Sequence, residues 1–275
     1  MISSLNRLAH IFMTIGLLSA NAFAQNIPYK GGSGNYTQLV WADEFNYKGA
    51  PDSDKWNYEK GYVRNNELQY YTAARKENAI VDNGHLVITA LNDSLKIGSN
   101  VYPITSASLT SKGKKDWTYG RIEVRAKIPS SRGTWPAIWT LGSDIRTVGW
   151  PASGEIDILE HVGYMPDTIH FNVHTEKYNH VKKTGKGTKI YSPAPYKDFH
   201  VYAIEWFKDH IDWYMDDAKV FTYNNEGEGT SSWPFDKPQY LILNLAFGGA
   251  WGGSRGVDIS TLPQKLLIDY VRVYQ

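Results

Sequence analysis

Three carboxylates fall within the segment Gly154-Glu155-Ile156-Asp157-Ile158-Leu159-Glu160, set among glycine and branched aliphatic residues that favour strand over helix. On a strand, side chains at i and i+2 share a face, so Glu155 and Asp157 point one way while Ile156 and Ile158 point into a core. Glu160 is one residue out of step. A one-residue β-bulge at Leu159 returns it to the face of the other two acids, a device that occurs beside active sites. On a helix the three would sit at about 0°, 200° and 140° and share no narrow face. With the bulge, Glu155 and Glu160 stand roughly 13 Å apart along the strand, and their long side chains can lean together. Carboxyl groups about 5 to 5.5 Å apart are the hallmark of retaining glycoside hydrolysis, one as nucleophile and the other as proton donor. Like charges so close push their pKa values apart, which keeps the acid protonated. The competing reading is a solvated acidic edge strand that resists aggregation.

Such a row needs a sheet to carry it. Short strand-like runs recur at Leu39 to Phe45, Leu86 to Leu91, Arg121 to Ile128, Glu155 to Val162, His170 to His174, Val201 to Phe207, Ile211 to Met215, Tyr240 to Ala246 and Leu266 to Tyr274. Turn signals separate them, notably Asn83-Gly84 and Asp216-Asp217, and no amphipathic helix of four turns is evident. The pattern predicts an all-β fold, a two-sheet antiparallel β-sandwich with one face curved into a concave cleft.

Residues 1–24 carry the marks of an export signal: Arg7, the apolar run Ile11 to Ala20, and Ala22-Phe23-Ala24 before Gln25. Residues 25–38, with Gly31-Gly32-Ser33-Gly34, read as a flexible lead-in, and 39–275 as a single domain. Without Arg7 the balance is 28 basic against 28 acidic residues, which favours neither nucleic acid nor an anionic membrane as partner. No cysteine is present, so disulfides, thiolate metal sites, cysteine nucleophiles and a lipid-anchored amino terminus are excluded. A secreted or periplasmic monomer is expected.

Around the acidic strand, Trp135-Pro136-Ala137-Ile138-Trp139 and Trp150-Pro151 crowd three tryptophans together. A lone tryptophan belongs in a core, but three beside a carboxylate row suggest flat platforms for a hydroxylated ring. His174 either hydrogen-bonds the proton donor or sits in the core with its ring satisfied. From Gly120 to Pro129 apolar and charged residues alternate; Glu123 and Arg125 are then either a solvated outer face or groups on a concave face that grip sugar hydroxyls. Lys177 to Lys189 reads as an exposed loop at a cleft rim.

These segments, together with Trp41-Ala42-Asp43-Glu44-Phe45, Asn66-Glu67-Leu68-Gln69-Tyr70-Tyr71-Thr72, Gly149-Trp150-Pro151-Ala152-Ser153, Phe199 to Trp206, Gly248-Gly249-Ala250-Trp251-Gly252-Gly253 and Ile268 to Tyr274, resemble glycoside hydrolase family 16 in its laminarinase-like branch. The resemblance runs from about Leu39 to Gln275. It implies a jelly roll that binds β-glucan and hydrolyses it internally with retention. Glu155 matches the nucleophile, Glu160 the general acid/base and Asp157 the helper that orients the nucleophile. Asn65, Glu123, Arg125, Trp135, Trp139, Trp150, His174, Asn244 and Trp251 fall where sugar subsites are expected. Glu44, Gly84 and Asp269 match a structural calcium site, whereas the chemistry itself implies no cofactor. Expected substrates are β-1,3- or mixed-linkage β-1,3-1,4-glucans. Alternatives are a galactan-active enzyme, for which Lys182, Lys183 and Lys186 are the hint, and a non-catalytic glucan-binding protein.

Overall fold

The computed structural model describes residues 34–275, so the export signal and most of the lead-in lie outside the described residues. The first strands are β1 (Leu39–Asp43), β2 (Asn57–Tyr58), β3 (Tyr70–Tyr71), β4 (Ala79–Asp82), β5 (His85–Ile97), β6 (Asn100–Ser106), β7 (Ser108–Thr110), β8 (Gly120–Lys127) and β9 (Thr134–Gly142). After the short helix α1 (Ile145–Val148) follow β10 (Glu155–Glu160), β11 (Thr168–His174), β12 (Lys186–Tyr191), β13 (His200–Trp206), β14 (His210–Met215), β15 (Ala218–Asn224), β16 (Gln239–Phe247) and β17 (Gln264–Tyr274).

They form two sheets. One runs β15-β14-β13-β8-β17-β5-β6-β3, with β1 added on β17 and β4 on β5; the other runs β12-β11-β10-β9-β16-β7-β2. Pairing is antiparallel except between β3 and β6, where Tyr70 stands opposite Thr105 in parallel register. The period of two sorts each strand's residues between core and outer face. Ile122 and Val124 of β8, with Val271 and Val273 of β17, meet Ile156 and Ile158 of β10 and Leu241 and Leu243 of β16 in one core, all wholly buried. The expected sandwich is thus present, and the turns at Asn83-Gly84 and Asp216 take the positive φ values such tight reversals need.

Eight strands, β2, β3, β4, β6, β7, β9, β12 and β15, lie outside the expected runs. β9 contains the Trp135 to Trp139 stretch, so those tryptophans are strand residues. β12 occupies the end of the expected rim loop; as an edge strand with two glycines at hand and no buried side chain of its own, it lacks the alternation that marks a strand. The end of the lead-in is tied down: Tyr36 Oη donates to the Trp206 carbonyl at 2.7 Å and its ring stacks on Phe207 at 5.1 Å.

Candidate active site

β10 lies inside the seven-stranded sheet with β9 and β11 bonded on either side, so the acidic row stands on a strand held at both edges. Against β11, Asp157 faces Asn172 while Glu160 faces His170, and against β9 the register steps between Asp157 and Leu159. One extra residue is therefore absorbed as a bulge. Ile158 and Leu159 both enter the core with no exposure, and Glu160 returns to the face of Glu155 and Asp157. At the step, the Asp157 carbonyl accepts a 2.8 Å hydrogen bond from Nε1 of Trp213, a wholly buried side chain of β14 in the opposite sheet.

The acids have distinct surroundings. Glu155 Oε2 accepts from Trp150 Nε1 at 2.7 Å, and its Oε1 lies 3.8 Å from His174 Nε2. Asp157 is buried, with Oδ2 3.3 Å from the same nitrogen. One ligand-type atom from each of Glu155, Asp157 and His174 lies within 4.8 Å of the others. Burial raises the Asp157 pKa well above the usual carboxyl range, and the charge of Glu155 together with a hydrogen bond to it raises it further. Both causes favour the neutral form of Asp157. Glu160 accepts from Trp135 Nε1 at Oε1 (3.1 Å) and from Asn172 Nδ2 at Oε2 (3.0 Å). Its pKa is also raised well above the ordinary value, by burial first and then by Asp157 and Glu155, against the opposing pull of His174 and Trp135. The pattern is that of a protonated acid beside a hydrogen-bonded nucleophile.

Walls and floor follow from the registers. Trp251 meets Trp135 edge-on at 5.5 Å and His170 at 4.8 Å, on the side of Glu160. At the other end Trp150, 39% exposed, tilts against His174 and His180. Trp139 and Asn244 form the floor, Trp139 Nε1 donating to Asn244 Oδ1 at 2.7 Å; Asn244 Nδ2 in turn donates to the Tyr71 hydroxyl at 3.0 Å. Arg64 lies over the Trp139 ring at 4.9 Å and pairs with Glu59. Asn65, in positive φ, accepts from the Ala250 N–H through its carbonyl at 2.8 Å, clasping two cleft loops together. Beyond Glu160 a cavity of about 450 Å³ is lined by His170, Asn172, Gly185, Gly187, Thr188 and Lys189. Arg64, His170, Asn172 and His180 had drawn no attention in the sequence; their roles depend on strand registers and loop returns that spacing does not encode.

Glu123 and Arg125 require correction. Both lie on β8 in the ten-stranded sheet, at positions alternating with the core residues Ile122, Val124 and Ala126, so they face away from the acidic row. Arg125 bonds Asp269 at 2.6 Å, and Glu123 bonds Arg121 at 3.0 Å. Neither can be a cleft subsite. Asp269 also lies 3.7 Å from His85 Nε2. Glu44 accepts both arms of Arg272 at 2.8 Å, so its carboxylate is already neutralised. Of the calcium set, both side chains are thus paired with an arginine, Glu44 with Arg272 and Asp269 with Arg125.

The model of glycosyl hydrolases family 16 matches residues 66–272. The chain belongs to that family. Among family 16 relatives, a β-glucanase of Rhodothermus marinus is 50% identical over 248 residues, spanning 86% of this chain and 85% of its own length. The solved laminarinase of the same organism superposes with a TM-score of 0.82 at 49% identity, covering 86% of this chain and 97% of that one. SCLam, a non-specific endo-β-1,3(4)-glucanase of family 16, gives 0.83 at 47% identity over 90% of this chain and 94% of its own.

Proposed function

We propose that this chain is an exported, monomeric, retaining endo-β-glucanase acting on β-1,3- and mixed-linkage β-1,3-1,4-glucans. The observation that carries the reading is the bulged strand, which turns a neutral Glu160 and a Trp150-anchored Glu155 to one face. Similarity to enzymes named for β-1,3(4)-glucan hydrolysis supports the substrate class. Glu160 protonates the departing glycosidic oxygen while Glu155 attacks the anomeric carbon; Glu160, now ionised, then deprotonates the water that frees the glycosyl-enzyme. Asp157 steadies Glu155 as nucleophile, with His174 against both. Calcium, where held, is structural and belongs to Asp269 with the carbonyls of Glu44 and Gly84; no step uses it.

The basic loop gives no support to a sulfated galactan. Lys182 donates to the Glu176 carbonyl and Lys186 pairs with Glu226, so neither is turned to the acids. Among the described residues no helix is long and apolar enough to cross a membrane, and export rests on the pattern of residues 1–24. The test is hydrolysis of laminarin, barley mixed-linkage glucan and agarose in parallel, with products sized over time and first-formed anomers read by NMR. Mixed oligosaccharides released initially as β-anomers support the proposal; cleavage of agarose alone, or α-anomers first, overturns it.

A further inference from the structure

We propose that Asn172 is the positioning residue of the proton donor, and that glycine at position 187 is what allows it to reach Glu160. The inference rests on Glu160 being the acid/base and adds how its carboxyl is held.

Glu160 has two carboxyl oxygens and two donors. Trp135 Nε1 serves Oε1 from β9, and Asn172 Nδ2 serves Oε2 at 3.0 Å from β11. A carboxyl gripped at both oxygens from neighbouring strands cannot rotate, so the oxygen that carries the proton keeps its direction through the reaction. Donation to the carboxyl also favours its ionised form, the state Glu160 enters once its proton has left. Asn172 thus opposes the effect of burial and of the neighbouring acids. The titratable groups that face Glu160 are Glu155 and Asp157 on its own strand and His170 and His174 on β11, with Lys189 of β12 opposite His170.

Asn172 can take this pose only because of the residue across from it. Gly187 is its register partner on β12, and a Cβ there would lie 2.2 Å from Asn172 Oδ1 and 2.9 Å from its Cγ. The amide therefore leans across space that any other residue would fill. The Phe171 carbonyl oxygen, 2.4 Å from the same point, would be struck too, so a side chain at 187 presses on the ladder as well as on Asn172. The φ of Gly187 is not in the left-handed region; the demand is for room.

The experiment compares wild type, Asn172→Ala, Gly187→Ala and the double variant on laminarin across pH. Asn172→Ala should lower kcat by about 10- to 100-fold with KM within about twofold, and move the alkaline limb of kcat/KM up by about one pH unit. Gly187→Ala should move the limb in the same direction, and in the double variant only the part of its loss that comes from the Phe171 carbonyl should remain on top of the loss caused by Asn172→Ala. A kcat within twofold and an unmoved limb in Asn172→Ala overturn the proposal. A Gly187→Ala penalty that persists in full in the double variant overturns the part assigned to the glycine. Should Gly187→Ala not fold, the limb of Asn172→Ala decides alone. Failure of the acid/base reading itself would be seen separately, as near-full activity of Glu160→Gln.

Discussion

Trp213 Nε1 donates to the Asp157 carbonyl at 2.8 Å across the core, joining the ten-stranded sheet to the bulge that returns Glu160 to the face of Glu155 and Asp157. A bulge leaves a backbone group without its ladder partner, and a buried carbonyl left alone is costly. Trp213→Phe keeps the apolar bulk and removes only the donor. It should destabilise the fold by about 1 to 3 kcal/mol, read from urea unfolding, and lower kcat although it touches no substrate. Unchanged stability would show that the carbonyl finds another partner.

Glu160→Gln and Glu155→Gln should behave differently. Loss of the acid/base should cost on the order of 10² to 10⁴ in kcat on glucan, with much of the first step recovered on an aryl glycoside whose leaving group needs no proton. Loss of the nucleophile should abolish turnover on both. Recovery in Glu155→Gln and none in Glu160→Gln would mean the roles are reversed.

Asp157 tests its own protonation. If burial and the neighbouring Glu155 keep it neutral, its role is that of a donor, and Asn can still donate. Asp157→Asn should therefore retain at least about tenfold more kcat than Asp157→Ala. Equal losses would mean that the charge, and not the hydrogen bond, is what matters.

Two histidines near Glu160, His161 buried and His170 half-buried, give a stability signature. Burial lowers His161 and His170 to about 4, each with an unpartnered Nε2. A depressed folded pKa means the unfolded chain binds the extra proton, so this stability is whole above about 6.5 and is lost as pH falls toward 4. The slope in that window should be about 1.4 kcal/mol per pH unit for each histidine. His161→Gln should flatten it by one histidine's share, measured by urea unfolding from pH 7 to pH 4. The raised Asp157 and Glu160 work in the opposite sense, their contribution being present at low pH and lost as pH rises through their raised values.

Much of this site is legible along the chain because it is local. The period of two, broken once at Leu159, already places Glu155, Asp157 and Glu160 on one face, and Trp150 lies five residues from the carboxylate it holds. What chain order leaves open is non-local. Alternation in β8 separates Glu123 and Arg125 from the core residues but cannot say which sheet carries them, and they sit on the one without the acids. Asn172 and Gly187 carry no local signal for a related reason: an asparagine and a glycine acquire meaning only as partners across a ladder, and β12 has no pattern that announces it as a strand. Arg64 reaches Trp139 through a loop return, which leaves no periodic trace.

The bond from the Trp150 indole to Glu155 has an optical consequence. Of the ten tryptophans, Trp150 is the one exposed beyond a third of its surface, and the oxygen it holds belongs to the atom group that becomes an ester when the sugar is attached. Glycosylation of Glu155 in the proposed mechanism would take away the negative charge beside the indole, so the emission of this side chain would become a clock for the covalent intermediate. A slow substrate, watched in stopped flow against a Trp150→Phe control, would display the accumulation and decay of that species directly.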